Sequence, residues 1–123
     1  MGMPKKILLV EDEKNIILGV KTCLEVANYD VLVVEDGEEA IETAIREKPD
    51  LILLDLMLPK LDGYAVCQDL KSREGTNNIP IVVLTAKVEE ESRKRAMEVG
   101  ADSYMTKPFR PEELWQEIKK FIH

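Results

Sequence analysis

The sequence has few of the residues on which metal-thiolate and disulfide-stabilised proteins depend. It contains two cysteines, Cys23 and Cys67, and one histidine, at the last position. Two cysteines are too few for a disulfide framework, and their separation does not match a zinc or copper ligand pattern. We therefore expect both cysteines to be small, half-buried apolar residues on helices.

Long apolar runs and an excess of basic residues are also missing. No run approaches the ~20 residues of a membrane-spanning helix, and no secretory signal is visible, so we expect a cytoplasmic protein without membrane contact. The net charge of −7 argues against direct binding of nucleic-acid phosphates. An acidic surface suits cations and partners with basic or apolar patches instead.

The length and the apolar content fit one globular domain over residues 1–123. With 123 residues, 45% of them hydrophobic, the chain can build a core without metal or disulfide support. Residues 1–4, where Met3 repeats the initiator, are interpreted as a cloning remnant or a disordered N-terminus.

Five apolar segments that read as strands alternate with five segments that read as helices. The strands are predicted at 7–10, 31–34, 51–54, 81–85 and 103–106. The helices are predicted at about 16–27, 37–48, 64–72, 89–99 and 111–122. The alternation predicts an α/β fold, a doubly wound, five-stranded parallel sheet with flavodoxin-like order 2-1-3-4-5 and helices on both faces.

Single residues mark several helix boundaries. Asn28 and Gly100 are expected to close the first and fourth helices in a left-handed conformation. Asp36 and Glu39 have the spacing of a capping pair at the start of the second helix. The buried stripe of that helix is predicted to consist of Ala40, Ile41, Ala44 and Ile45.

Polar residues end or follow each predicted strand at the carboxyl edge of the sheet, where open α/β sheets bind ligands. They are Glu11 and Asp12, Glu35, Asp55, Thr85 and Lys107. In the predicted strand order, Asp12 and Asp55 face each other across the central crevice, with Glu11 beside them. Glu35 ends the outer strand and is expected to stand apart.

Three carboxylates in one pocket raise each other's pKa values unless a cation lies among them. A hard divalent cation with oxygen ligands, Mg²⁺ with Mn²⁺ as the alternative, resolves the repulsion. A lysine and a hydroxyl in the same pocket suit phosphoryl transfer to a carboxylate. Taken singly, each residue also has a structural interpretation, such as a helix-dipole partner for Glu11 to Glu13 or a turn residue for Asp55.

The chain resembles the CheY-like receiver domains of two-component response regulators over essentially its whole length. The resemblance rests on four blocks in order: ILLVEDE at 7–13, LILLDLMLPKLDG at 51–63, PIVVLTA at 80–86 and GADSYMTKPF at 100–109. It implies a signalling domain rather than an enzyme, which takes a phosphoryl group from a histidine kinase or phosphotransfer protein. A downstream effector protein, or an output domain, would read the phosphorylated state.

The resemblance also implies roles for individual residues. Asp55 would be the phosphoacceptor. Asp12 would bind Mg²⁺ directly, Glu11 would support it, and the main-chain carbonyl of Met57 would be a further ligand. Thr85 would be the switch hydroxyl, Lys107 its cationic partner and Tyr104 the switch aromatic. Pro108 would follow a cis peptide bond. Met57 and Lys87 would border the phosphate and influence its lifetime.

Two features limit the resemblance. The DNA-binding subfamily that dimerises through the fourth helix, fifth strand and fifth helix has an acidic residue and an arginine where this chain has Ser103 and Glu117. We therefore expect a monomer or a weak, phosphorylation-dependent dimer. The sequence ends with the last helix, which fits either a stand-alone receiver or the receiver of a longer regulator.

Three other functions compete with this interpretation. A haloacid-dehalogenase-type phosphatase requires a second Asp two residues past the nucleophile, where this chain has Met57. A phosphorylation-independent interaction module of the same shape would tolerate loss of part of the acidic and basic set, which is complete here. A flavodoxin-like flavin site needs a phosphate-binding loop after the first strand, and none is present.

Overall fold

The computed structural model describes residues 3–122, so the expectation for residues 1–4 falls partly outside the described residues. Strands and helices alternate along the chain. The strands are β1 (Lys6–Val10), β2 (Asp30–Val34), β3 (Leu51–Leu54), β4 (Ile81–Thr85) and β5 (Ser103–Thr106). The helices are α1 (Lys14–Val26), α2 (Gly37–Glu47), α3 (Gly63–Lys71), α4 (Glu90–Glu98) and α5 (Pro111–Lys119).

The five strands form one parallel sheet in the order β2-β1-β3-β4-β5, which confirms the predicted fold. In the register of the sheet, Val10 lies opposite both Val34 and Leu54. The residues that follow these positions therefore emerge side by side at the carboxyl edge. Among the described residues, no helix combines the length and apolar character that crossing a membrane requires.

Alternate residues of the central strands enter two separate apolar clusters, one on each face of the sheet. One face packs against α2, α3 and α4, and the other packs against α1 and α5. Because β1, β3 and β4 are covered on both faces, nearly every residue in them is buried. Burial of this apolar surface is the main force that fixes the sheet.

The residues predicted to mark helix boundaries do so in the structure, but the extent of the last helix differs from the prediction. Asp36 caps α2, and its side chain accepts a 2.8 Å hydrogen bond from the backbone N–H of Glu39. Asn28 and Gly100 both adopt positive φ angles, of 69° and 108°. The last helix is shorter than predicted, because it ends at Lys119 and the final residues of the predicted range follow it.

Two burial predictions were wrong in part. Ile45 was assigned to the buried stripe of α2, but it is 41% exposed, whereas Ala40 and Ala44 are buried. A residue one step past Ala44 is turned by about 100° around the helix axis, which takes Ile45 away from the sheet. Cys23 is half-buried on α1 as expected, but Cys67 on α3 is completely enclosed.

The start of α3 packs directly on the backbone at the end of β3. A Cβ atom on Gly63 would collide with the main-chain oxygen of Asp55 and lie 2.6 Å from Cα of Leu56. Gly63 also donates its backbone N–H to the carbonyl oxygen of Leu56 at 2.9 Å. A side chain at this position would therefore displace the loop that follows Asp55.

We predict that Gly63→Ala lowers the free energy of unfolding by about 2 kcal/mol, because backbone atoms cannot move aside cheaply. Gly19→Ala is the matched control, since a Cβ atom there meets nothing within 4 Å in the middle of α1. That substitution should raise the free energy of unfolding by about 0.5–1 kcal/mol through helix propensity. Urea unfolding measures both changes, and a Gly63→Ala protein as stable as wild type would contradict the packing argument.

Candidate functional site

The carboxyl edge of the sheet carries the polar residues that the sequence singled out. Main-chain hydrogen bonds extend the sheet by one residue beyond its strands: Glu11 donates to Val34 at 3.0 Å, and Asp55 donates to Val10 at 3.1 Å. These bonds fix the backbone at both acidic positions. Their side chains therefore start from a rigid part of the protein.

Three carboxylates meet at this edge. Glu11, Asp12 and Asp55 each offer an oxygen, and the three oxygens lie within 4.8 Å of one another. Glu11 is 2% exposed and Asp55 is 7% exposed, whereas Asp12 faces solvent. Two acidic groups are thus enclosed and the third stands at the opening. The strand order predicted that the three residues meet, but it did not predict which of them are buried.

Lys107 brings a positive charge into the same cluster. Its Nζ atom lies 2.5 Å from Oε1 of Glu11 and 3.8 Å from Oδ2 of Asp55. The peptide bond between Lys107 and Pro108 is cis, as the resemblance implied. The sequence did not predict the close ion pair with Glu11, because residues from distant strands carry no local signal of their partner.

Thr85 and Tyr104 are joined through one residue of the loop between β4 and α4. Thr85 is fully buried, and its Oγ1 accepts a 3.3 Å hydrogen bond from the backbone N–H of Lys87. The hydroxyl of Tyr104 donates a 2.8 Å hydrogen bond to the carbonyl oxygen of the same lysine. A shift of this loop would therefore change the hydrogen bonds of both side chains.

A cavity of about 700 Å³ opens over the acidic cluster. Its lining consists of Glu11, Asp12, Glu13, Ile16, Asp55, Met57, Ala86, Lys107 and Pro108. Met57 is 59% exposed at the rim. The sequence interpretation did not single out Ile16 or Ala86 as lining residues, and the only available signal was that Ala86 directly follows Thr85.

Two of the remaining sequence candidates lie outside this cavity. Lys87 lines a neighbouring cavity of about 460 Å³, which shares Asp12 and Met57 with the first. Glu35 is exposed at the end of β2 and stands apart from the cluster, as expected. The two cavities therefore form adjoining parts of one groove.

Burial sets the acidity of Asp55. Desolvation raises the pKa of its carboxyl from 3.8 to about 6, and the negative charge of Glu11 acts in the same direction. The charge of Lys107 and a 3.3 Å hydrogen bond from the backbone N–H of Met57 oppose the rise in pKa. The site thus holds more negative charge than one lysine neutralises.

This donor set fits a hard divalent cation. Three carboxylate oxygens converge, and neither cysteine of the chain belongs to the group. Oxygen-only ligands favour Mg²⁺ or Mn²⁺ over zinc or copper. A cation here would also offset the burial and the charge of Glu11, which together raise the pKa of Asp55.

Sequence comparison matches nearly the whole chain to one family model. The family model described as response regulator receiver domain matches residues 7–119. The alkaline phosphatase synthesis transcriptional regulatory protein PhoP of Bacillus subtilis is 49% identical over 98% of the chain, which covers 49% of that protein. The phosphate regulon transcriptional regulatory protein PhoB of Pseudomonas aeruginosa is 46% identical over 96% of the chain and 52% of that protein.

Solved structures agree with the sequence comparison. One similar structure is the receiver domain of a sensor histidine kinase from Pseudomonas aeruginosa, which has a magnesium ion coordinated in its active site cleft. It superposes on this chain with a TM-score of 0.91 at 34% identity, and the match covers 97% of this chain and 98% of that one. The BeF3-activated N-terminal receiver domain of Klebsiella pneumoniae RstA gives a TM-score of 0.87 at 36% identity, covering 95% and 97%. The chain spans about half the length of the curated relatives it matches.

We predict that Asp55→Asn stabilises the protein at neutral and higher pH. The pKa of Asp55 is about 6 in the folded protein against 3.8 as the ordinary value, so its contribution to stability is present below pH 4 and is lost as pH rises through 6. In metal-free buffer at pH 8 the variant should gain about 1–3 kcal/mol in free energy of unfolding.

The gain should shrink as the pH falls from 6 to 4, because the wild-type carboxyl becomes protonated in the folded protein, and it should vanish well below pH 4, where the carboxyl is protonated in both states. Glu35→Gln removes an exposed carboxylate outside the cluster and serves as control. Urea unfolding at several pH values measures the difference. A gain in the free energy of unfolding that does not depend on pH would show that the raised pKa of Asp55 is not its cause.

Proposed function

Because the chain belongs to the response regulator receiver domain family, we propose that Asp55 accepts a phosphoryl group from a phosphohistidine of a histidine kinase or phosphotransfer protein. The observation that carries this proposal is the position of Asp55. Its carboxylate is enclosed among two further carboxylates and a lysine, at the floor of an open cavity. This setting suits a carboxylate that attacks phosphorus, because opposite charge is available for the phosphoryl oxygens.

Glu11, Asp12, Asp55 and the main-chain carbonyl of Met57 would hold Mg²⁺. The ion supplies positive charge for the phosphoryl oxygens. Asp12 is the exposed member of the set and lies at the rim of the cavity. We expect it to be the residue whose loss lowers metal affinity without removing the acceptor.

In the transfer step, a carboxylate oxygen of Asp55 bonds to phosphorus while the phosphorus–nitrogen bond of the phosphohistidine breaks. The electron pair of that bond goes to the donor's imidazole nitrogen, and an aspartyl phosphate remains. Lys107 lies 3.8 Å from Oδ2 of Asp55 and is close enough to bind a phosphoryl oxygen. The hydrogen bond from Lys107 to Glu11 would then lengthen or be replaced by a hydrogen bond to the phosphoryl oxygen.

We propose that Thr85 and Tyr104 report the phosphorylated state to α4, β5 and α5. Movement of the Thr85 hydroxyl toward a phosphoryl oxygen would disturb its bond with Lys87, whose carbonyl oxygen holds Tyr104. The phosphoryl group then biases this region between two arrangements rather than acting on it by contact. An effector protein or an output domain would read the surface.

The oligomeric state of this receiver is proposed to differ from that of the dimerising DNA-binding subfamily. Glu117 on α5 lies 3.2 Å from Lys120, the residue that directly follows this helix, and so has an internal partner. Ser103 provides no charge for a neighbouring copy. A monomer, or a weak dimer formed only on phosphorylation, follows from these two positions.

The phosphatase alternative is not supported by the site. Met57 stands where that class needs an acid/base carboxylate, and its side chain has no group that could transfer a proton. The phosphorylation-independent module remains the competing function. The first experiment below distinguishes this module from the proposed phosphoacceptor.

We predict that wild-type protein incubated with acetyl phosphate gains one phosphoryl group, and only when Mg²⁺ is present. Asp55→Asn should gain none, because the acceptor oxygen is replaced by an amide. Glu35→Gln should be phosphorylated like wild type, since its side chain lies outside the cluster. Intact-mass spectrometry measures the number of phosphoryl groups on all three proteins.

Absence of uptake by wild type leads to a second measurement, the binding of Mg²⁺ and beryllofluoride. Binding would indicate a receiver that needs its own donor protein. Failure to bind would contradict the phosphoacceptor role and favour the phosphorylation-independent module.

We predict that Met57 slows hydrolysis of the aspartyl phosphate by shielding it from water at the rim of the cavity. Met57→Asn should shorten the lifetime, because an amide can orient a water molecule where the thioether cannot. Lys87→Met tests the charge at the other rim. Timed decay after removal of the donor measures both, and an unchanged lifetime in Met57→Asn would exclude this role for the methionine.

A further inference from the structure

Helix α4 is attached to the rest of the protein by little apolar surface. Ala96 is its one buried residue among Glu90–Glu98, and most of its side chains are charged. The other helices that cover the sheet each bury at least two residues. The position of α4 therefore depends on polar and aromatic contacts more than on burial.

Two tyrosines lie beneath α4, and each is covered by an arginine of that helix. The guanidinium carbon of Arg93 is 5.7 Å from the ring centroid of Tyr104, and that of Arg95 is 4.0 Å from the ring centroid of Tyr64. Tyr64 is buried, and its hydroxyl donates a long hydrogen bond, 3.5 Å, to the carbonyl oxygen of Ser92. The shorter stacking distance shows that the Tyr64 side of the helix has the closer cation–π contact.

Tyr64 is also connected to the phosphoacceptor through the backbone. It directly follows Gly63, which packs against the main-chain oxygen of Asp55 and bonds to Leu56. Leu56, Tyr64, Tyr104 and Ala96 belong to one buried cluster. A displacement of the loop after Asp55 would therefore reach Tyr64 without passing through Thr85.

We propose that Tyr64 and Arg95 are a positioning pair that fixes α4 against α3 and gives the Asp55 loop a second connection to α4. This connection acts in parallel with the one through Thr85, Lys87 and Tyr104, and it rests on the phosphoacceptor role of Asp55. Stacking of a guanidinium on a buried ring is directional, so a small shift of α3 changes the contact. Arg95 would thus help to set the arrangement of α4 that an effector reads.

Hydrogen exchange of residues 90–98, followed by mass spectrometry on the full chain, tests the anchoring. Arg95→Met keeps the length of the side chain but removes the charge, and it should raise exchange of α4 by roughly fivefold. Arg95→Lys and Tyr64→Phe keep a cation and a ring, so each should preserve most of the protection. Lys94→Met is the matched control, because Lys94 is an exposed neighbour on the same helix.

The same measurement with Mg²⁺ and beryllofluoride tests the connection to the site. The change in α4 exchange on adding the ligand should decrease in Arg95→Met and in Tyr104→Phe, and it should disappear in the double variant. A second connection requires that neither single variant abolishes the response.

Two results would overturn the inference. One is equal exchange of α4 in Arg95→Met and Lys94→Met, which would show that the stacking does not anchor the helix. The other is complete loss of the response in Tyr104→Phe together with a wild-type response in Arg95→Met. No protection of residues 55–57 in wild type on ligand addition would instead contradict the phosphoacceptor role, and the comparison without ligand would still decide the anchoring.

Discussion

The candidate site depends on the burial of negative charge at the carboxyl edge of a sheet that apolar packing holds in place. Glu11 and Asp55 are both buried, and a single lysine serves the two of them at 2.5 Å and 3.8 Å. Desolvation of the Asp55 carboxyl is the main reason why its pKa rises to about 6, and the negative charge of Glu11 adds to the rise. The same excess of buried negative charge makes the site suited to a divalent cation. The unfavourable burial and the proposed chemistry therefore have the same cause.

The rigid sheet and the weakly attached α4 have complementary roles. The central strands are buried on both faces and hold the backbone of Asp55 and Thr85 in place. Helix α4 buries only Ala96 among its residues and is positioned by contacts with Tyr64 and Tyr104. Elements that change position in signalling come from the less stable part of a fold, and this helix meets that description.

Local sequence patterns were sufficient for most of the fold. The apolar runs of β1, β3 and β4 identified the buried strands, and alternation with helices then left few possible topologies. Because parallel strands end at one edge, Asp12, Asp55 and Thr85 could be assigned to a common site from their positions after the strands. Residues whose setting depends on one neighbour were less predictable, as the exposed Ile45 and the enclosed Cys67 show.

The sequence by itself determined the order of the elements, the acidic character of the edge and the identity of the residues that arrive there. Only the tertiary structure decided which of them are partners. Lys107 is closer to Glu11 than to Asp55, and the guanidinium group of the exposed Arg95 stacks on the ring of Tyr64. These pairings join residues far apart in the chain. Local propensity acts over a few residues, whereas the distance between two such side chains is fixed only when the sheet and its helices pack.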